Sequence, residues 1–255
     1  MGNEPKRIQA SERSLTILSG LATLGRATET EIANHLNLAR NTTHYHLKTL
    51  EHQSFVVERD GQYRLGLRFL NMGHRTVKDL DIYRVGKEEV DELSRRTGEL
   101  SILMIEENGY GYYVYDAHGD DAVNFDTVGR RKYLHDNALG KAVLAQLPPD
   151  RVDEILDKRG LPETTPYTIT DRSALKSEID AVRERGVAFD REEQLEGLCC
   201  IAAVIENPGG AGADGGIGAI SVAGPTSRMS DDRMETLAPV VSDAANLIEL
   251  EMQGY

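Results

Sequence analysis

Between Thr28 and Leu65 the signals that start and stop elements follow one another so closely that only short pieces of structure fit between them. Thr28 with Glu31 three places on is a capping box, so a helix starts there. Ile32, Ala33 and Leu36 form its inward stripe, and Asn37 stands where a left-handed residue ends it, a conformation asparagine tolerates. A further helix begins a few residues on. Thr43, Leu47 and Leu50 fall at i, i+4 and i+7 and face inward, leaving Arg40, Asn41, His44, Tyr45 and Lys48 on the opposite side. Upstream, Leu15, Leu18, Leu21, Ala22 and Leu24 keep helical spacing after Ser11 and stop near Gly25. Downstream, residues 55–59 and 62–65 read as strands about Asp60-Gly61, a strong hairpin signal. Three helices and a hairpin make a winged helix-turn-helix, whose third helix fits the major groove of DNA.

The charge is placed to match. The whole chain of 255 residues carries −13, which by itself argues against nucleic acid. Residues 1–85, however, hold 12 Lys and Arg against 9 Asp and Glu, while residues 86–255 hold 17 against 33. A basic head on an acidic body lets one part meet phosphates while the other repels them. Arg40 and Lys48 are candidate phosphate contacts, which position without specifying. Asn41, Thr42, His44 and Tyr45 are candidates to read base edges, and Arg59 and Arg64 on the wing to meet the backbone or the minor groove. Such a polar face would also serve as an ordinary solvated one; the capping box, the Asn turn, the wing and the local charge together favour DNA. Arginine outnumbers lysine 21 to 8, which with the acidic body fits a high-salt cytoplasm.

Leu67, Leu70, Val77 and Leu80 then predict a connecting helix with no Pro, Gly or Ser linker, hence a stiff joint. From Asp81 the pattern changes to a helix ending near Gly98, strand-like runs at 100–105, 110–115 and 123–128, and a helix capped by Asn137 and stopped by Pro148-Pro149. Helices at about 150–159 and 171–185 follow, then strands near 187–193, 198–206 and 217–223, and a last helix over 231–252. Strands, a helical middle and strands again predict an α+β body with an antiparallel or mixed sheet. The Gly-rich segment 207–216 lacks the Lys-Ser/Thr of a phosphate loop and reads as a mobile hairpin connection. The start of the helix after Asn137, in contrast, collects free backbone N–H groups of the kind that bind anions.

Several functions are disfavoured. The longest apolar run, 198–205, is too short to span a membrane, and residues 1–13 hold no apolar signal stretch, so a cytoplasmic protein is expected. Adjacent Cys199 and Cys200 have no zinc-site spacing, and neither metal nor cofactor is expected. Catalysis would require Cys200 as nucleophile with His118 or His135 as base, yet a cysteine inside the apolar run LCCIAAVI is usually inert, so no enzyme is expected. Two rivals stay open: a thiol-based redox-responsive regulator using Cys199 and Cys200 with the same head, and a protein-partner module.

Three stretches, GRRKYLHDNALGKAVLAQLP, RERGVAFDREEQLEGLCCIAAVI and GAISVAGPTSRMSDDRMETLAP, resemble the signatures of the IclR family of transcriptional regulators. SERSLTILSGLA and TEIANHLNLARNTTHYHLKTLE resemble its DNA-binding half, and the resemblance runs in order from about residue 9 to about 250. It implies a winged helix-turn-helix domain over 8–69, a linker helix over 70–84 and a GAF-like mixed α/β effector-binding domain over 85–255. It also implies a homodimer, or a dimer of dimers, on a pseudo-palindromic operator, with a small-molecule effector. By motif position the effector would meet the backbone N–H groups of Ala138 and Leu139 and the side chains of Asp190, Cys200 and Ser221, with Leu198 in an apolar wall. The positive end of a helix suits an organic or sugar acid; beside such an anion Asp190 would take a ligand hydroxyl or hold its own loop. The chain departs from the family pattern at Tyr45, His46, Arg191, Cys199 and Ala223.

Overall fold

The computed structural model describes residues 7–125, 127–206 and 216–253. Helix α1 (Gln9–Leu24) packs through Ile17, Gly20 and Leu21, so its buried stripe is turned from the expected one and Leu15 and Ala22 face out. Strand β1 (Ala27–Thr28) leads into α2 (Glu29–His35), where the Thr28 hydroxyl accepts from the Glu31 N–H and the Glu31 carboxylate accepts from the Thr28 N–H. Asn37 ends the turn at φ 52°, and α3 (Arg40–His52) buries Thr43, Leu47 and Leu50. The wing is β2 (Val56–Arg59) and β3 (Gln62–Leu65), joined by Asp60 and Gly61 at φ 53° and 78°, the paired left-handed conformation a two-residue hairpin needs. β1 adds to the other edge of β3, pairing Thr28 with Gln62. Ile17, Leu21, Ile32, Leu47, Val56 and Tyr63 close a core of their own.

The segment read as a linker helix over 70–84 meets two helices, α4 (Arg68–Lys78) and α5 (Asp81–Thr97), with Leu80 extended at the N-cap of the second. The chain divides into two compact units, Met1–Thr76 and Val77–Tyr255.

In the second unit, β4 (Leu100–Glu107), β5 (Tyr110–His118), β6 (Arg131–Lys132), β7 (Ala188–Arg191), β8 (Leu198–Ile205) and β9 (Gly218–Pro225) form one antiparallel sheet in the order β6-β5-β4-β9-β8-β7. Residues 207–215, where the Gly-rich connection was read, lie outside the described residues. The runs LSILMI, LCCIAAVI and GAISVAG are near-continuously apolar, broken by Ser101 and Ser221, because both sheet faces are covered. On one face Leu103, Ile105, Ile201 and Val222 pack against α5 and α9 (Asp231–Gln253). On the other, Leu100, Ile102, Met104 and Ala202 share a core with α6 (Ala138–Gln146), α7 (Pro149–Arg159) and α8 (Arg172–Arg185).

One expected strand is absent. Residues 123–125 and 127–128 are irregular, because the free edge of β5 is taken by the segment that follows them. The Gly129 N–H donates to the Tyr113 carbonyl at 2.7 Å and the Tyr113 N–H to that of Arg130 at 3.0 Å, and β6 pairs Lys132 with Gly111. The run holding Val123, Phe125 and Val128 therefore does not reach the ladder.

Candidate functional site

Two places gather the candidate residues. The first is the outer face of α3 and the wing. Arg40, Asn41, Tyr45 and Lys48 are exposed, and Thr42 and His44 are half-buried. Several of these are held by local partners. Glu29, in the first turn of α2, accepts from Arg40 Nε at 3.2 Å and meets His44 Nδ1 at 2.8 Å. The His44 contact first, and Arg40 with it, holds the Glu29 carboxyl below its ordinary range. Lys48 Nζ donates to Glu51 at 2.9 Å and stands 5.8 Å from the Tyr63 ring centroid. On the wing Arg59 is exposed just before the turn, whereas Arg64 is half-buried and donates to the Leu65 carbonyl. His46, inward of this face, meets Ser14 Oγ at 2.8 Å. Glu29 was not among the residues read from sequence; its place three residues after the Asn-free turn of α1 and β1 gives no local sign that it will meet α3.

The second place is a cavity of about 360 Å³ between the sheet and the start of α6. Its existence follows from small side chains. Cys200, Ser221 and Ala223 on β8 and β9 stand where larger residues would fill the gap under α6. The helix comes close because residue 140 is glycine: a Cβ there would lie 2.3 Å from the Leu134 carbonyl oxygen, a backbone atom that cannot yield cheaply. Asn137 caps α6 by accepting from the Gly140 N–H at 2.8 Å, while its own amide donates to the Tyr133 carbonyl. Among the described residues, the N–H groups of Ala138 and Leu139 have no acceptor, as the first residues of a helix must. The Ser221 hydroxyl is fully buried, lines the same cavity and has no hydrogen-bond partner.

Of the six expected effector residues, Ala138, Leu139, Leu198, Cys200 and Ser221 line this cavity. Asp190 does not. It sits on β7 opposite Cys200, is buried, and its Oδ1 accepts from the Glu193 N–H at 2.7 Å, so it holds the loop after β7. Burial, reinforced by the Glu193 carboxylate, pushes the Asp190 carboxyl up to about 7. Glu193 in turn receives Lys141 Nζ at 2.5 Å, and both are buried. The same loop brings Gln194 and Leu195 to the cavity, with Gln194 and the Tyr113 hydroxyl 3.2 Å apart.

Phe125, Thr127, Arg130 and Lys132 complete a wall that sequence reasoning missed. Thr127 Oγ1 donates to Asp116. The lost signal is a two-residue strand, β6, too short to show a period.

The two thiols fall on opposite faces of β8, Cys199 among the α5/α9 core and Cys200 on the cavity wall. Burial raises both thiols, Cys200 well above its ordinary value, which keeps the thiolate scarce. His135 Nε2 meets the Pro162 carbonyl at 3.0 Å. These features do not favour a redox switch.

A winged helix on one chain with a domain enclosing a ligand-sized cavity is the layout of a transcriptional regulator with an effector-binding domain. Comparison with known proteins names the lineage. A family model for the bacterial transcriptional regulator IclR C-terminal domain matches residues 74–250, and one for the IclR helix-turn-helix domain matches residues 10–60. The chain belongs to the IclR family of DNA-binding transcriptional regulators. The HTH-type transcriptional regulator XynR of Escherichia coli (strain K12) is 34% identical over 230 residues, covering 88% of this chain and 89% of that protein. The crystal structure of the Thermotoga maritima IclR superimposes with a TM-score of 0.76 at 25% identity, over 98% of this chain and 100% of that one. An IclR homologue from Microbacterium hydrocarbonoxydans, solved as a complex with 4-hydroxybenzoate, shares the fold with a TM-score of 0.77 at 21% identity, over 95% and 100% of the two chains.

Proposed function

We propose that a small organic or sugar acid bound in the cavity controls the affinity of the winged head for its operator. The observation that carries this reading is the fully buried, unpartnered Ser221 hydroxyl, which shares the cavity with the free N–H groups of Ala138 and Leu139. An orphaned buried hydroxyl costs about 1–3 kcal/mol until an acceptor arrives, and a helix start favours that acceptor being anionic. The homologue in complex with 4-hydroxybenzoate, itself an aromatic acid, supports the same chemistry. Leu198, Leu139 and Cys200 provide the apolar wall, and Asp190 shapes the site through the loop it anchors.

On the DNA side, α3 enters the major groove. Asn41, Thr42, His44 and Tyr45 read base edges, while Arg40, Lys48, Arg59 and Arg64 take the backbone, Arg40 and His44 exchanging Glu29 for the duplex. The active species is a homodimer on a pseudo-palindromic site. Helix α4 supports this, since it buries none of its residues and leaves Leu70 and Met72, with Leu67 just before it, exposed.

The test is calorimetric titration of the full chain with sugar acids, keto acids and aromatic acids, beside Ser221→Ala. One acid is expected to bind the wild type and to lose at least about tenfold in affinity in the variant. Equal binding by both would place the effector elsewhere.

A further inference from the structure

The cavity has a second polar end that the reading above leaves unused. Arg130 and Lys132 both line it, at alternate positions around Arg131, which turns the other way and lies 4.3 Å from the Tyr110 ring centroid. Cations elsewhere in this domain are commonly matched: Arg151 to Glu154, Arg172 to Asp153 and Asp157, Arg183 to Asp180, Arg228 to Glu99. Among the described residues neither Arg130 nor Lys132 has a carboxylate within 4.0 Å. Asp136 is the acidic group whose field reaches Lys132 most strongly, and its two oxygens are already accepting from Asn137 and Thr164. Lys132 is half-buried beside Tyr113, its Nζ 5.9 Å from the ring centroid, and burial depresses its ammonium below the ordinary lysine value. Two cations, an exposed Arg130 and a half-buried Lys132, thus line the cavity with no carboxylate of the described residues in direct contact.

The two ends are well separated. Lys132 lies on β6 and Ser221 on β9, three strand steps apart in the order β6-β5-β4-β9 and offset along the strands. Lys132 pairs with Gly111, Gly111 with Glu106, and Glu106 meets Ile217, while Ser221 pairs with Ile102. At about 4.8 Å per step and about 3.3 Å per residue the backbones are roughly 20 Å apart. The basic stems bridge part of that distance. The remainder, in a cavity of about 360 Å³, suits a chain of several carbons rather than a two-carbon acid.

We propose that the effector is a dianion: one carboxylate at Ser221 and the start of α6, and a second anionic group, carboxylate or phosphate, between Arg130 and Lys132. The proposal rests on the effector reading and adds a requirement to it. The bridging of the two ends makes the ligand's length, and not only its charge, a condition of binding.

Full-length protein is titrated calorimetrically with two matched pairs of probes, glutarate against pentanoate and 3-phosphoglycerate against glycerate. The second anionic group is a carboxylate in the first pair and a phosphate, with about 1.5 to 2 charges at pH 7, in the second. At least one dianion is expected to bind about tenfold more tightly than its monoanionic partner. In the Arg130→Gln/Lys132→Gln double variant that gap falls to within about twofold, the doubly anionic probe losing far more affinity than the monoanion. Ser221→Ala weakens both members of the pair alike. Among the described residues neither basic side chain holds a salt bridge, so the double variant is expected to melt with the wild type, and circular dichroism checks that it is folded. Wild-type protein that binds both members of each pair equally overturns the second anion site and leaves the effector reading standing. Binding of none of the four probes at millimolar concentration overturns both.

Discussion

Glu29 reaches from α2 onto the reading face of α3, where it engages both Arg40 and His44. Once DNA arrives, those two groups have better partners in phosphate and base, and the carboxylate left behind faces a polyanion. Glu29→Gln is therefore expected to raise operator affinity at low salt by about fivefold, the worth of one charge pair in water at about 4 Å, and the gain should fade as salt rises. Fluorescence anisotropy with a labelled operator measures it; a variant that binds more weakly would make Glu29 a direct base reader instead. Asp190 gives a second residue-level expectation. Its folded value of about 7 lies above that of an unfolded aspartate, so the folded state holds the extra proton. This contribution to stability is complete below about pH 4, falls as pH rises toward 7, and levels off above. Asp190→Asn, whose amide oxygen can still accept from Glu193, should flatten that slope in urea melts at pH 5, 6 and 7.5. A slope that persists would assign the effect to other groups.

At the scale of elements, the head was legible because its instructions are local. The capping box, Asn37 and Asp60-Gly61 each act within four residues, and each appears in the structure where the spacing put it. Thr28→Ala should lower the stability of the head by about 1 kcal/mol in thermal melts through loss of the cap. The body was legible where a strand is covered on both faces or a helix has a cap, as in LCCIAAVI and after Asn137. It was illegible where pairing is decided at a distance. The apolar run around Val123, Phe125 and Val128 reads like a strand but stays irregular, with Phe125 on the cavity wall, while Arg131 and Lys132, polar and unpatterned, take the edge of β5. The cavity itself left a faint mark, the small residues Ser221 and Ala223 two apart on β9. Arg130 and Lys132 left none, since their role comes from an edge pairing that only the folded sheet creates. Gly140 is the element-level pivot: Gly140→Ala forces α6 off Leu134, and is expected to cost about 1–3 kcal/mol in denaturant unfolding. Ligand affinity should fall with it, because the N–H groups of Ala138 and Leu139 move. Unchanged unfolding would mean that the loop through Leu134 yields freely.

For the whole molecule, charge segregation and linkage are the same question. The phosphate contacts of the head make its DNA binding depend on salt, and each one removed should reduce the slope of log K against log salt by about one. Lys48→Ala is expected to do this without changing operator preference, whereas Asn41→Ala should relax preference with little change in slope. A cavity ligand that alters the head must obey reciprocity: whatever factor it imposes on operator affinity, the operator imposes on the ligand. The most direct measurement is therefore a pair of titrations on the full chain, operator binding with and without the acid that fills the cavity, and acid binding with and without operator. The two ratios are expected to agree and to fall within about 5–150-fold, and Ser221→Ala should shrink both. An operator affinity that stays the same when the cavity is saturated would contradict the account.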